Sequence, residues 1–329
     1  MEAIRFVNSF KSFQQMLVVL PDDTACREYF EEVRWEGTPV CHQCGSIHKG
    51  HYKLKTKGEF KGLYKCKDCR KRFTVTVGTM FEGSHVGLRN WFIAMYIFSS
   101  HKKGISSVQL ADDLGVTQRT AWFMLQRIRY AFSAKGEEVI LSGVIQADES
   151  FIGGKNKNRH EHKKVKESQG RSTKDKTPVF GMVQNGNKVH LTVIPDTKAA
   201  TLRPIIKRSV AKGSLVITDE WKGYKNLPSD FSHISIKHKE GEYTRGAFHT
   251  NNIENFWSLL KRGIYGIYHQ VSPKHLHRYC DEFAYRYNSR KVKSHDRFNI
   301  VLKNTDGRLK YKRLIGDGRK CRVELLEAV

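Results

Sequence analysis

Two Cys-x-x-Cys pairs constrain this chain more than any other feature. Cys41-His-Gln-Cys44 and Cys66-Lys-Asp-Cys69 are separated by 21 residues. A two-residue gap folds into a tight turn that presents both thiolates to one side, and two such knuckles build one tetrahedral shell suited to Zn²⁺. Two disulfides are the other arrangement open to four cysteines, and a reducing compartment disfavours them. Between the knuckles, HYKLKTKGEFKGLYKC alternates apolar and basic residues with glycine breaks, the pattern of two short strands. A zinc ribbon is expected over 37–80. Its metal would be structural, because four thiolates leave no open position and so small a ribbon lacks a core of its own. His42 and His48 are spare candidates beside a complete shell, and Cys26, Cys280 and Cys321 stand apart as inert thiols. Residues 1–36 read as a helical segment that supports the ribbon. Phe10, Phe13, Met16 and Leu17 recur at helical spacing, and Pro21-Asp22-Asp23 opens a second helix.

Composition bounds the remainder. The 329 residues are 39% hydrophobic, with 18 Phe, 13 Tyr and 5 Trp, which excludes a wholly disordered chain and leaves room for about two or three domains. The longest near-continuous apolar run, Trp91 to Phe98, falls far short of the roughly 20 residues that span a bilayer. The start, MEAIRFVNSF, lacks a charged start, an apolar stretch and a small-residue cleavage site, so neither a secretory route nor a membrane partner is expected. Against 33 acids stand 58 Lys and Arg, a formal charge of +25, and a charge of that sign and size points to a polyanion, most simply nucleic acid. The excess is clustered. Window 49–72 carries +8, and windows 153–178, 261–295 and 303–322 carry +6 each. Every window flanks a motif, as phosphate-contacting segments would.

Residues 86–135 fit a helix-turn-helix. After the apolar helical pattern of 88–101, Ile105 to Trp122 places Ala111 where two helices meet, Gly115 in the turn and Thr117 at the cap of the next helix. Gln118, Arg119 and Thr120 then stand at the exposed start of that helix. These are side-chain types that read base edges or phosphates in a major groove. Trp122, Leu125, Ile128 and Arg129 continue inward.

A different pattern starts at Gly143. Gly143 to Ser150 reads as a strand ending in acid, Asp148 or Glu149. Pro178 to Ile194 reads as a hairpin around Asn185-Gly186, Thr197 to Ser209 as a helix, and Ser214 to Trp221 as a buried strand ending in Asp219 or Glu220. Phe231 to Ile236 is a short strand and Thr250 to Arg262 an amphipathic helix. The expected class is α+β and multidomain: zinc ribbon and helix-turn-helix, then a ribonuclease-H-like mixed-sheet domain over 140–292 with order β-β-β-α-β-α-β-α. In the last helix Ile253, Phe256, Trp257, Leu260 and Ile264 form one buried stripe. At roughly 100° per residue, Asn251, Glu254 and Lys261 share another face, Asn252 points well off it, and Gly263 ends the helix. Carboxylates from two strand ends and one helix can hold the pair of hard cations, Mg²⁺ or Mn²⁺, that phosphodiester cleavage can use.

Four motifs together are specific: Ala147-Asp148-Glu149-Ser150, Thr218-Asp219-Glu220-Trp221-Lys222-Gly223-Tyr224, His249 to Arg262, and Arg278 to Asn288. With them the chain resembles insertion-sequence DDE transposases of the ISXO-like group, from the ribbon to about Asn288. The resemblance implies Asp148 and Asp219 as ligands of two catalytic ions, deciding against Glu149 and Glu220. It implies Glu254 as the third ligand, although members of the group also use Asn there, which here would be Asn251. It further implies Lys261, and less strongly Arg262, as contacts to the element's end. The implied partners are transposon ends, target DNA and further copies of the chain in a synaptic complex. The implied setting is the prokaryotic cytoplasm, at the nucleoid. The implied reaction frees a 3′-hydroxyl at the element's end and joins it to target DNA. Window 153–178 departs from compact cores of this kind as a basic insertion expected to order on DNA, and 293–329 is expected to be a basic C-terminal tail. A DNA-binding regulator on an inactive fold and a purely hydrolytic nuclease are the competing readings.

Overall fold

Helices begin where the sequence supplies caps. Ser12 accepts the Gln15 amide to open α1 (Phe13–Val19), and Asp22 accepts the Ala25 amide to open α2 (Asp23–Trp35). The computed structural model describes residues 10–133, 140–154, 160–166, 172–185, 188–237, 240–241, 244–246 and 248–316. The chain divides into two compact units: the first runs to Phe132 and resumes at Lys291, and the second runs from Ser133 to Arg290.

In the first unit the ribbon strands β1 (Tyr52–Thr56), β2 (Glu59–Lys65) and β3 (Arg72–Phe73) pair in that order, antiparallel. The ribbon shares a core with α2. The Tyr64 ring stacks on Phe73 at 5.5 Å, Trp35 meets both edge-on, and the Tyr64 hydroxyl donates to Glu31 at 2.9 Å. Next come α3 (Leu88–Ser100), α4 (Ser107–Leu114) and α5 (Gln118–Phe132). Gly115 closes α4 in the left-handed region at φ 64°, and the Thr117 hydroxyl accepts the Thr120 amide at 3.2 Å.

The second unit is built on one five-stranded sheet. Its strands are β4 (Val144–Ile152), β5 (Thr177–Gln184), β6 (Val189–Val193), β7 (Leu215–Asp219) and β8 (Ser232–Ile236), in spatial order β6-β5-β4-β7-β8. The hairpin side is antiparallel, while β4/β7 and β7/β8 are parallel. This is the expected ribonuclease-H-like mixed sheet. Helix α6 (Ala199–Ser209) covers one face, where Leu202 and Ile206 pack with Ile145, Ala147, Phe180, Met182 and Val216. Helices α7 (Asn251–Gly263) and α8 (Leu276–Asn288) cover the other, where Ile253, Phe256, Leu260 and Phe283 pack with Ile152, Val179 and Val183.

Four expectations are corrected. β4 does not end at its acids but runs on to Ile152, paired with β5 throughout. Between β7 and β8 there is one 3₁₀ turn, Lys222–Tyr224, instead of a helix. Gly263 does not stop α7: its φ is −68° and a π turn, Ile264–Tyr268, follows directly. Glycine is needed there for space, since a Cβ would lie 2.0 Å from the Phe283 ring. Finally, the segment after Lys291 is no tail as far as Gly316. It forms α9 (Ser294–Lys303) and α10 (Tyr311–Ile315), and Phe298, Val301, Leu302, Leu309 and Leu314 are buried in the first unit. An apolar helical stripe runs beneath its basic residues, and Phe298 packs at 5.6 Å against both Phe10 and Phe92. Residues 317–329, with Cys321, lie outside the described residues, as do 155–159 and 167–171 of the basic insertion.

Candidate active site

Strand alternation separates the acids that the sequence leaves level. Ile145 and Ala147 face α6, so Gln146 and Asp148 face α7. On β7, Val216 faces α6, which turns Ile217 and Asp219 toward the α7 side. The β4/β7 ladder pairs Val144 with Leu215 and Gln146 with Ile217. Asp148 and Asp219 follow two residues past the last rung of that ladder, on the same face of these adjacent parallel strands. Glu149 points the opposite way. It is 8% exposed and accepts a hydrogen bond from Tyr224. Burial, and then the charge of Glu149, hold the Tyr224 phenol well above its usual range, so it stays a donor.

Each aspartate is oriented by a fixed donor. The Trp257 indole Nε1 donates to Asp148 Oδ2 at 2.9 Å, and the Trp221 amide donates to Asp219 Oδ1 at 3.0 Å. Trp257 reaches down to Asp148 because Gly181, paired with Asp148 across the ladder, has no side chain; a Cβ there would meet the indole at 2.6 Å. Glu254 is exposed one turn before Trp257 and accepts the Thr250 hydroxyl at 2.7 Å. Asn251 and Lys261 are exposed on the same helix. Arg262 is exposed too, with its Nε turned back to the Ser258 carbonyl at 3.2 Å. Asn252 points away and donates to Asn185 at 3.2 Å. Thr250 makes no side-chain cap to α7; Gln146 supplies one instead, its Oε1 accepting the Asn252 and Ile253 amides at 2.9 and 3.2 Å.

The cysteines converge. All four sulfurs lie within 4.8 Å of one another, with Cys41–Cys69 and Cys44–Cys66 each at 3.7 Å. A tetrahedron with bonds of about 2.3 Å has edges of about 3.8 Å, so the cluster fits Zn²⁺, whereas a disulfide needs about 2.05 Å. Among the described residues, no group of three carboxylates closes in the same way. Cys26 and Cys280 are buried thiols; burial, then Asp23, push Cys26 up to about 12.

Comparison with known proteins matches two segments of the chain. A transposase zinc-ribbon domain matches residues 21–72, and an ISXO2-like transposase domain matches residues 140–288. A protein in transposable element ISH50 of Halobacterium salinarum is 31% identical over 270 residues, covering 78% of this chain and 87% of that protein. The chain belongs to the ISXO2-like transposase family. A transposase-like protein of Haemophilus influenzae is 34% identical over 108 residues, 32% of this chain and 86% of its own. Two solved structures have a TM-score of 0.26, too slight a likeness to carry an argument. They are a pre-cleavage Mos1 transpososome (11% identity, 63% of this chain, 76% of that one) and a simian T-cell lymphotropic virus intasome with a PP2A regulatory subunit (12%, 53% and 63%).

In this ISXO2-like transposase the residues expected to read DNA stand at the start of α5. Gln118 and Arg119 are exposed, and Thr120 is half-buried. Gln118 Nε2 donates to the Ser107 hydroxyl at 2.7 Å, tying α5 to α4. Arg119 Nε donates to the Tyr311 hydroxyl at 2.8 Å. Sequence reasoning missed Gln146, Trp257 and Tyr224 as supports of the acids. Gln146 had one legible sign, a polar residue two places before Asp148 on the same face of a strand. Asn288, the last residue of the fourth motif, is structural: its amide exchanges hydrogen bonds with the Val189 backbone at 2.8 and 3.1 Å, extending the β6 edge. Among the described residues no helix is long and apolar enough to cross a membrane.

Proposed function

We propose that this chain is a DNA transposase that binds the ends of its insertion sequence and catalyses metal-dependent cleavage and strand transfer. The observation that carries the reading is the placement of Asp148 and Asp219 on one face of adjacent parallel strands, each with its own donor, on the side covered by the helix that bears Glu254. Hard carboxylate oxygens suit Mg²⁺ or Mn²⁺. Asp148, Asp219 and Glu254, with Asn251 as the alternative third ligand, would hold two such ions. Bound there, the ions supply charge neutralisation at the attacking and leaving oxygens. The residues themselves supply pre-orientation: Trp257 and the Trp221 amide fix the carboxylates before DNA arrives.

In the first step a water oxygen forms a bond to phosphorus at the element's end while the bond to the 3′-oxygen breaks, and the released oxygen takes a proton. In the second step that 3′-hydroxyl attacks a target phosphodiester. One P–O bond forms as another breaks, so no external energy source is required. Lys261 would contact the terminal phosphate or base. Gln118, Arg119 and Thr120 would read the end, and Arg262 would contribute a phosphate contact. Joining two ends calls for more than one copy of the chain, and the reaction would take place at the nucleoid of a prokaryotic cytoplasm.

The test uses purified full-length protein, Mg²⁺ and a duplex carrying the terminal sequence that flanks the gene. Joined products are the expected result. Cleavage without joining would instead identify a hydrolytic nuclease, and end binding without either would identify a regulator.

A further inference from the structure

The start of α5 does not stand alone. Arg119, Phe123 and Arg127 recur every four residues along one side of the helix, and all three hold the segment that leads into α10. Arg127 Nε donates to the Leu309 carbonyl at 3.1 Å, and the Phe123 ring meets Tyr311 edge-on at 5.2 Å. The Arg119 guanidinium carbon lies 4.9 Å from the centre of the Tyr311 ring, in addition to its hydrogen bond with the hydroxyl. Leu309 and Leu314 are 2% and 0% exposed, so the segment is anchored on both sides of Tyr311. Lys310, Lys312 and Arg313 are exposed around it.

We infer that the start of α5 and residues 310–313 form one composite surface for duplex DNA, in which Tyr311 positions Arg119 as a sequence-reading residue. The inference rests on the reading of α4 and α5 as DNA readers and assigns the C-terminal segment to that task. An arginine has five N–H donors, and the Nε donor is spent on Tyr311. The two Nη groups remain as the fork that matches guanine O6/N7 or two phosphate oxygens. A guanidinium already held by a ring and a hydroxyl gives up less freedom on binding than a loose one. Tyr311 does not bury Arg119, which stays exposed, so this contact orients the side chain without covering it.

The experiment measures affinity of the full-length protein for the terminal duplex and for a scrambled duplex, between roughly 50 and 200 mM salt. Tyr311→Phe keeps the ring on Phe123 and removes the hydroxyl. It should weaken end binding about three- to tenfold, leave scrambled binding within about twofold, and keep the salt slope. Arg119→Lys, which keeps charge but loses the fork, should do the same, and it controls for any misfolding at Tyr311. Replacing Lys310, Lys312 and Arg313 by Ala should weaken both duplexes and make the log–log salt slope shallower by about two to three. Unchanged end affinity in both single variants, or an unchanged slope in the triple variant, overturns the inference while end binding by the wild type stands. If the wild type itself shows no preference for the terminal duplex, the DNA-reading assignment of the two helices fails and takes this inference with it.

Discussion

Gln146→Leu is the most informative perturbation of the catalytic unit. Gln146 is 2% exposed, and its Oε1 caps two amides of the first turn of α7, the helix that carries Glu254 and Trp257. Leucine fills similar space and removes the acceptor. The Ile253 amide is then left in a buried position without a partner, at about 1–3 kcal/mol, while the Asn252 amide is half-buried and loses about 1 kcal/mol of capping. Together these weaken the first turn by about 2–4 kcal/mol. At 1.4 kcal/mol per factor of ten, local opening becomes about 30- to 700-fold more frequent. Hydrogen exchange read by mass spectrometry on peptides covering 250–260 measures that opening directly. Strand transfer should fall with it, because Glu254, the proposed third ligand, sits in this turn and Trp257, the donor to Asp148, follows one turn on. Gln146→Glu keeps acceptor oxygens at a helix N-terminus, where negative charge is favoured, and should recover most of the protection. Exchange in 250–260 within about threefold of wild type, or acceleration spread equally over α8, would refute the capping argument.

Four further outcomes are expected. Asp148→Asn and Asp219→Asn should each lower cleavage by about a thousandfold or more while end binding stays within about twofold; strand transfer surviving in both would remove the site assignment. Glu254→Gln should be far more damaging than Asn251→Ala in the same assay, and the reverse order would move the third ligand to Asn251. A chelator should release close to one zinc per chain in a metal-dye assay and lower the thermal midpoint of the first unit, since an ion bound by Cys41, Cys44, Cys66 and Cys69 stabilises the folded ribbon; a yield near zero with an unchanged midpoint would argue against a resident metal. Gly263→Ala should lower stability by about 1–3 kcal/mol in urea titration, because the added methyl meets the Phe283 ring at 2.0 Å; a stabilised variant would mean the ring moves freely aside.

What could be read in the sequence was local in the chain. The zinc ligands sit in two turns of four residues, the cap of α5 is three residues from the amide it accepts, and the α7 stripe follows from helical period alone. What could not be read depends on distant partners. Gln146 acts on amides 106 and 107 residues away, and Trp257 reaches an acid 109 residues away. The C-terminal segment reads as a tail because its charge outweighs its apolar stripe in composition, whereas the buried Phe298 and Leu314 decide its place. Gly263 followed a sound local rule for helix ends, which a tertiary contact with Phe283 overrides.

The choice between Asp148 and Glu149 shows what long-range structure adds. Alternation guarantees that one acid faces each side of the sheet but not which side holds the chemistry. The α6 side is an apolar layer of Ile145, Ala147, Phe180, Met182, Leu202 and Ile206, and an ion there would have to shed its water among hydrocarbon. Glu149 tolerates that layer because Tyr224, kept protonated by burial and by the charge of Glu149 itself, donates to it. The α7 side offers the opposite: a polar residue two places earlier on the strand, an indole donor, and a helix whose exposed face carries Glu254 and Lys261. An acid committed to a buried phenol cannot also hold an ion for a substrate phosphate, so Glu149 ties β4 to the 3₁₀ turn after β7, and Asp148, one residue before on the opposite face, is the acid the proposed chemistry requires.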